Sequence, residues 1–408
     1  MRLGSGSGLQ WLGAAALLLA ALWLRSGLLL LAAGLVALVA GVVALWRRFG
    51  LSRLTYERHF QQNRCFPGEP VTLTVTVTNR KVLPLTYLVV EESVPVALEV
   101  ESRRLHFQSR ARGRLRMRFS LGWYQRVERR LTVRAARRGA YRLGPAVVAA
   151  GDPFGWAEQR MEVAPSDLLI VYPRVVPLEE VGLPAQRPFG DLASRDRLFA
   201  DPLRFAGVRE YRPGDPLNQV HWKATAATGE LQVRLLDPSA SLGLAVFLNT
   251  WSYERFWEGD DADALEAGVT LAASIVGWAH EHALPVGLYA NGLVYGWGFS
   301  LHLPPARGDG VLVQALEGLA RLQTGSPQPL WELMAAEVPA LPYGTSLVVI
   351  TRQVGVDLAG AVLRAQRSGR PVTLVVTGPE AEPVPELPGV RVYRVGGEEG
   401  LHGAVLAE

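Results

Sequence analysis

The stretch Val71-Thr72-Leu73-Thr74-Val75-Thr76-Val77-Thr78 alternates aliphatic side chains with threonines. A period of two puts the aliphatic residues on one face of an extended strand and the hydroxyls on the other, and β-branched residues favour that geometry. Pro67-Gly68 marks a turn before it, and Asn79-Arg80 ends it. Downstream the rhythm returns: Leu115, Met117 and Phe119 alternate with Arg114, Arg116 and Arg118, and a similar strand runs from Val127 to Val133. These runs predict an antiparallel β-sandwich-like domain over residues 51–160.

Upstream the alternation disappears. Leu9 to Leu24 is apolar except for Gln10, and Leu28 to Trp46 has no polar side chain apart from the indole at its end. About 20 apolar residues span the hydrocarbon core of a bilayer, so the second run is long enough and the first just reaches with help from its flanks. With Arg25-Ser26-Gly27 as a tight turn, residues 1–50 are expected to form a hairpin of two transmembrane helices. A soluble helical hairpin would show a polar edge, and a cleaved signal peptide would not be followed at once by a second apolar run. Arg47, Arg48, Arg53 and Arg58 follow the second helix and Arg2 precedes the first, whereas the turn holds only Arg25. The positive-inside rule then puts both ends of the hairpin, and the globular regions, in the cytoplasm. Trp11, Trp23 and Trp46 lie near the ends of the runs, where indole rings favour the interface.

A chain of 408 residues is too long for one core, and with 49% apolar and 20% charged residues it is not dominated by disorder. Its single cysteine, Cys65, excludes an internal disulfide and a thiolate zinc cluster. The net charge of +4 conceals an asymmetry: residues 51–143 hold 19 basic against 7 acidic side chains, a net +12, and residues 1–50 add +4, leaving −12 for 144–408. Fourteen arginines fall between Glu101 and Arg142. They suit either a solvated face or contact with anionic membrane lipid, where each basic residue near the surface contributes about 1 kcal/mol. Nucleic acid is not expected as a partner, because no aromatic residues are interleaved to stack bases.

The most distinctive stretch is Gly207-Val208-Arg209-Glu210-Tyr211-Arg212-Pro213-Gly214-Asp215, followed by His221-Trp222-Lys223-Ala224-Thr225-Ala226. Pro213-Gly214-Asp215 is a turn, with Gly214 free to take a positive dihedral, and Arg209, Asp215, His221 and Lys223 are close enough in sequence to form a polar cluster. Asp215 and His221 would serve as orienter and base in a hydrolase, yet no serine or cysteine stands as nucleophile and Thr225 has no evident oxyanion partner. A hydrogen-bonded turn with Trp222 as core anchor, or an adaptor surface, uses the same residues.

Asp152-Pro153-Phe154-Gly155, Tyr172-Pro173, Arg209-Glu210-Tyr211 with Gly214-Asp215, and His221-Trp222-Lys223-Ala224 occur here in an order that resembles the bacterial family of domain of unknown function 58. The resemblance extends from the hairpin to the C-terminus. It implies two N-terminal transmembrane helices in the inner, cytoplasmic membrane, a β domain, the signature in a connecting region at 161–240, and an α/β von Willebrand factor A-like domain at 241–408. It also implies work beside MoxR-type AAA+ ATPases and other membrane proteins. Asn218 and Ala227 stand where the family usually has arginine.

The pattern beyond residue 240 agrees. Leu244 to Leu248, Val286 to Tyr289, Leu347 to Ile350 and Val372 to Val376 read as buried strands, separated by helical runs at Ala262 to His282, Gly310 to Leu322 and Leu358 to Gln366. Such alternation predicts a parallel-type sheet covered on both faces. Von Willebrand factor A-like domains hold Mg²⁺ through Asp-x-Ser-x-Ser after the first strand, a distant Thr and a later Asp. The matching stretch here is Asn249-Thr250-Trp251-Ser252-Tyr253, and Arg352 stands about where the later acid would be. A hard cation needs oxygen ligands, so a degenerate metal site, no cofactor, and Trp251 as an exposed protein-binding anchor are expected. Asp260, Asp261 and Asp263 read as the acidic start of the long helix. The sequence therefore predicts a membrane-anchored, non-enzymatic scaffold for protein–protein interaction, with the hydrolase and an envelope sensor of lipid or peptide as rivals.

Overall fold

The structure, a computed structural model, describes all residues except 1–5, 102–105, 108, 110, 156–157, 165, 182, 184–204, 214, 216, 218–219, 237–242, 254–258, 260, 299, 325–327, 378–383, 396–404 and 407–408. Arg2, Gly214, Asn218 and Asp260 thus lie outside the described residues. The chain divides into two compact units, Met1–Val171 and Tyr172–Glu408.

The first unit opens with helices α1 (Gly6–Trp23) and α2 (Gly27–Phe49), joined by a turn in which Arg25 has φ of 44°. Among the described residues α2 alone is long and apolar enough to cross a membrane. Its 23 residues rise about 34 Å at 1.5 Å each, more than the roughly 30 Å of hydrocarbon.

Among the described residues twelve strands follow: β1 (Leu54–Phe60), β2 (Arg64–Cys65), β3 (Val71–Asn79), β4 (Leu85–Pro95), β5 (Leu98–Val100), β6 (His106–Phe107), β7 (Arg112–Leu121), β8 (Arg126–Ala135), β9 (Gly139–Leu143), β10 (Ala146–Gly151), β11 (Glu158–Val163) and β12 (Asp167–Val171). They form sheets in the orders β1-β3-β8-β5, β11-β10-β4-β7-β6 and β2-β12-β9. The threonine-rich strand pairs directly with the later one, Leu73 opposite Leu131 and Val77 opposite Val127. Leu73, Val75, Leu88, Val90, Leu115 and Met117 share one core, which explains why the aliphatic positions of β3 and β7 alternate. On β7 the alternation is clean, with Arg114, Arg116 and Arg118 exposed.

The expected domain limit at 160 falls inside β11. Beyond it β12 pairs with β9, Leu169 opposite Tyr141, so the β unit continues to Val171 and the expected connecting region is shared between the two units. A further correction concerns Arg58. Its side chain is 3% exposed and paired with Glu92 inside the β unit, so it does not add to the charge flanking the membrane helix.

The second unit begins with a hairpin of β13 (Phe205–Glu210) and β14 (Gln232–Leu236), bridged by the short helix α3 (Trp222–Thr228). It continues through β15 (Leu244–Leu248), α4 (Ala262–Glu281), β16 (Val286–Val294), β17 (Ser300–Ala306), α5 (Asp309–Arg321), β18 (Leu322–Gln323), α6 (Leu330–Glu337), β19 (Ser346–Thr351), α7 (Val356–Arg367), β20 (Val372–Thr377), β21 (Arg391–Val395) and β22 (Val405–Leu406). The sheet order is β17-β16-β15-β19-β20-β21-β22, with β18 beside β16. Strands β16, β15, β19, β20 and β21 are parallel, and β17 and β22 are antiparallel edges. Every residue of β15, β19 and β20 is buried, the near-continuous apolar pattern of strands covered on both faces.

Candidate functional site

Two places in the second unit gather the residues singled out by sequence. The first is the β13–α3–β14 hairpin. Arg209 on β13 grips Asp215 with both guanidinium nitrogens, Nη1 to Oδ2 at 2.7 Å and Nη2 to Oδ1 at 2.8 Å, and the Arg212 amide donates to Oδ2 at 2.8 Å. The Arg209 guanidinium and that amide hold the Asp215 carboxyl down at about 2, because both favour its charged form. Both carboxylate oxygens are therefore engaged in closing the turn after β13. Half-buried Tyr211 donates its amide to the Leu231 carbonyl at 2.8 Å, which extends the hairpin.

His221 is the N-cap of α3. Its Nδ1 accepts the Ala224 amide at 3.0 Å, so that nitrogen is fixed as an acceptor by local structure. Thr225 Oγ1 accepts the Gln232 amide at 3.0 Å, and Gly229, with φ of 75°, closes the helix in the left-handed region. The structure thus brings Arg209 to Asp215 and ties His221 and Thr225 to the backbone. Among the described residues these hydrogen bonds do not run from a nucleophile through a base to an orienter. Trp222 departs from expectation: it is 69% exposed, not a core anchor. It is the first residue of a seven-residue helix, and neighbouring Lys223 is exposed too. Ala227 is also on the exposed face of α3.

The second place is the C-terminal end of the parallel strands. Beyond β15 the chain first steps to β16 on one side and later to β19 on the other, a topological switch point where open α/β sheets bind ligands. Asn249, Thr250, Trp251 and Ser252 leave β15 there, Thr351 ends β19 and Arg352 leaves it. Asn291, fully buried on β16, organises this end: its Oδ1 accepts the Thr250 amide at 2.7 Å and the Thr250 hydroxyl at 3.1 Å, and its Nδ2 donates to Asn249 Oδ1 at 3.1 Å. Asn249 Nδ2 in turn donates to Thr351 Oγ1 at 3.1 Å. Sequence reasoning missed Asn291; its signal is a lone amide five residues beyond the start of an otherwise apolar strand.

Arg352 closes the crevice. Its Nε donates to Asp261 Oδ2 at 3.1 Å and its guanidinium lies 4.8 Å from the Tyr253 ring centre. Asp261 uses its other oxygen, Oδ1, to cap α4 through the Asp263 and Ala264 amides. The space left among these side chains is about 10 Å³, room for at most one water. Trp251, expected as an exposed anchor, is 8% exposed and meets the Trp331 ring edge-on at 5.9 Å. It is a core residue, held because α6 packs over the first turn after β15.

No family model matches the chain. The uncharacterized protein YeaD of Bacillus subtilis is 24% identical over 254 residues, a stretch covering 60% of this chain and 57% of that protein, so the chain spans less than two thirds of the relative's length. Among solved structures, a CARDB domain from Pyrococcus furiosus shares 14% identity at a TM-score of 0.19, covering 29% of this chain and 91% of that one. The native form of Escherichia coli alpha-2-macroglobulin shares 19% identity at a TM-score of 0.23, covering 30% and 10%. Likeness at these scores carries no argument about function.

Proposed function

We propose that the chain is a membrane-anchored, non-enzymatic adaptor of the domain of unknown function 58 type, and that the hairpin signature is a protein-binding face. The observation that carries this is the contrast between Trp222, 69% exposed, and its neighbours Asp215, whose two carboxylate oxygens close the turn, and His221, whose Nδ1 caps the helix that presents it. An exposed indole on a rigid support is the residue type most enriched at binding hot spots. A hydrolase needs the opposite arrangement, a base left to meet substrate and a nucleophile beside it.

The anchor is read as a two-pass hairpin, α1 with α2, with both units in the cytoplasm; Arg47 and Arg48 at the end of α2 support that orientation. The second unit is read as von Willebrand factor A-like. Its strand order, with an antiparallel edge at β17 and a switch point at β15, supports this reading, as does the position of Asn249 directly after β15 and of Arg352 directly after β19. The partner proposed is a MoxR-type AAA+ ATPase in envelope or protein-complex maturation. Full-length protein in nanodiscs should capture the MoxR-type ATPase of its own organism, and Trp222→Ala should lose capture while retaining its melting temperature. Capture unaffected by Trp222→Ala removes the proposed face, and turnover of a hydrolysable substrate that disappears with His221→Ala would favour the hydrolase.

A further inference from the structure

The end of α2 is tied to the β unit by a set of hydrogen bonds. Trp46 Nε1 donates to the Pro84 carbonyl at 3.1 Å, and buried Lys81 donates from Nζ to the Gly50 and Ser52 carbonyls at 2.9 and 2.8 Å. The Arg80 amide donates to the Arg53 carbonyl at 3.0 Å. The loop between β3 and β4 is therefore held level with Trp46, one turn inside the end of the apolar helix.

The tip of the β7–β8 hairpin is fastened to that loop. The Tyr124 amide donates to the Lys81 carbonyl at 3.1 Å, and Asn79 Nδ2 donates to the Gly122 carbonyl at 2.7 Å. At this tip Trp123 is 73% exposed and Tyr124 66%, and on the adjoining loop Val82 is 61% exposed. Tyr124 has φ of 46°, a left-handed position that glycine or asparagine fills at less steric cost. A large aromatic is kept there in spite of that strain. Arg48, Arg53, Arg80 and Arg126, all exposed, flank the same end of the unit.

We propose that Val82, Trp123 and Tyr124 form a wedge seated in the headgroup region of the bilayer that α2 enters, with the flanking arginines on anionic phospholipid; this rests on the membrane-anchor reading. Aromatic rings with a polar edge partition to that depth, and short apolar tips beside basic residues are how peripheral surfaces hold a membrane. The hydrogen bonds from Trp46 and Lys81 fix the depth, because the wedge cannot leave the interface without releasing the helix end. The wedge gives the β unit a second grip on the membrane and so a fixed attitude to it.

The test uses the full chain in nanodiscs of phosphatidylcholine and phosphatidylglycerol, with an environment-sensitive fluorophore on Trp123→Cys and, separately, on Tyr124→Cys. Cys65 is buried, and burial pushes its thiol up to about 11, so it does not compete for the label. Leu38→Cys reports the α2 span. Arg134→Cys, eight residues along β8 from Arg126 and hence about 27 Å away, reports solvent. Lipid spin-labelled at the headgroup should cause loss of emission at 123 and 124, lipid labelled in mid-chain should do so at 38, and neither should at 134. Loss at 38 with 123 and 124 behaving like 134 overturns the wedge and leaves the anchor standing. No loss at 38 overturns the anchor and the wedge with it.

Discussion

The guanidinium of Arg58 and the carboxylate of Glu92 meet inside the β unit with 3% and 0% of their side chains exposed. Tyr56 donates its hydroxyl to the same carboxylate, and Arg58 Nε reaches Asp167 Oδ2 at 2.6 Å. Strands β1, β4 and β12 belong to three different sheets, and this cluster links all three. Burial and the neighbouring Glu92 charge both push the Tyr56 hydroxyl far above its ordinary value, so it stays a neutral donor.

Removing one side of such a pair leaves a charge uncompensated in a low-dielectric interior. Glu92→Gln should lower unfolding stability by about 3 kcal/mol, the lower end of the range for breaking a buried pair, because Asp167 still faces Arg58. Urea unfolding of the full chain in detergent, followed by near-ultraviolet dichroism, reads this out. An unchanged midpoint would mean that the pair organises the fold without stabilising it.

The two tryptophans singled out by sequence should respond in opposite ways. Trp251→Ala empties a buried site against Trp331 and should cost about 3 to 5 kcal/mol. Trp222→Ala removes an exposed ring and should change stability by no more than about 0.5 kcal/mol. Thermal unfolding of both variants side by side checks the assignment, and comparable losses would mean that Trp222 is covered in the native protein.

That reversal marks what could be read from sequence. The alternating runs at 71–78 and 114–119 gave their strands and faces correctly, because a period of two leaves one choice of inward face once the aliphatic residues are known. The parallel sheet was legible for a different reason, through continuous apolar runs bounded by turns, the pattern of strands covered on both faces. Exposure of a single aromatic was not legible, since Trp222 and Trp251 each follow polar turn residues and differ only in what tertiary structure brings over them. Arg58 was misread as a membrane-flanking charge although Tyr56, Arg58 and Phe60 fall on one face of β1. An arginine between two buried aromatics on that face signals a buried partner. Asn291 was missed because its role depends on strands brought together from distant parts of the chain.

Asp215 supplies a pH test. Its folded value is depressed to about 2 by the Arg209 guanidinium and the Arg212 amide, against about 3.9 for an unperturbed aspartate. A depressed carboxylate contributes stability that is fully present above the unfolded value and is lost as pH falls through the folded one, so the turn should hold its strength down to about pH 4 and loosen toward pH 2. Carbon-13 titration of the Asp215 carboxyl should give a midpoint near 2, and Asp215→Asn should abolish that step. A midpoint near 4 would mean that the bidentate grip of Arg209 does not persist in solution.

The crevice above β15 and β19 should not take up a divalent cation at physiological concentration. Oxygen ligands in number are what Mg²⁺ requires, and at this place Asn249 and Asn291 are hydrogen-bonded to each other while Arg352 brings a fixed positive charge to Asp261, the nearby carboxylate among the described residues. Two cations near one carboxylate repel, and at an effective dielectric near 20 the opposition between a guanidinium and a divalent cation about 4 Å apart is of order 8 kcal/mol. The Arg352–Asp261 pair is itself partly exposed, so Arg352→Ala should cost no more than about 1 kcal/mol of stability. Its removal takes away the charge that opposes a metal, which makes the variant the sensitive comparison. Calorimetric titration of the full chain with Mg²⁺ and Mn²⁺ should give no binding heat in the wild type. Micromolar binding by the wild type that is lost on Asn249→Ala would show that the amide positions coordinate after all, and would overturn this account of the crevice.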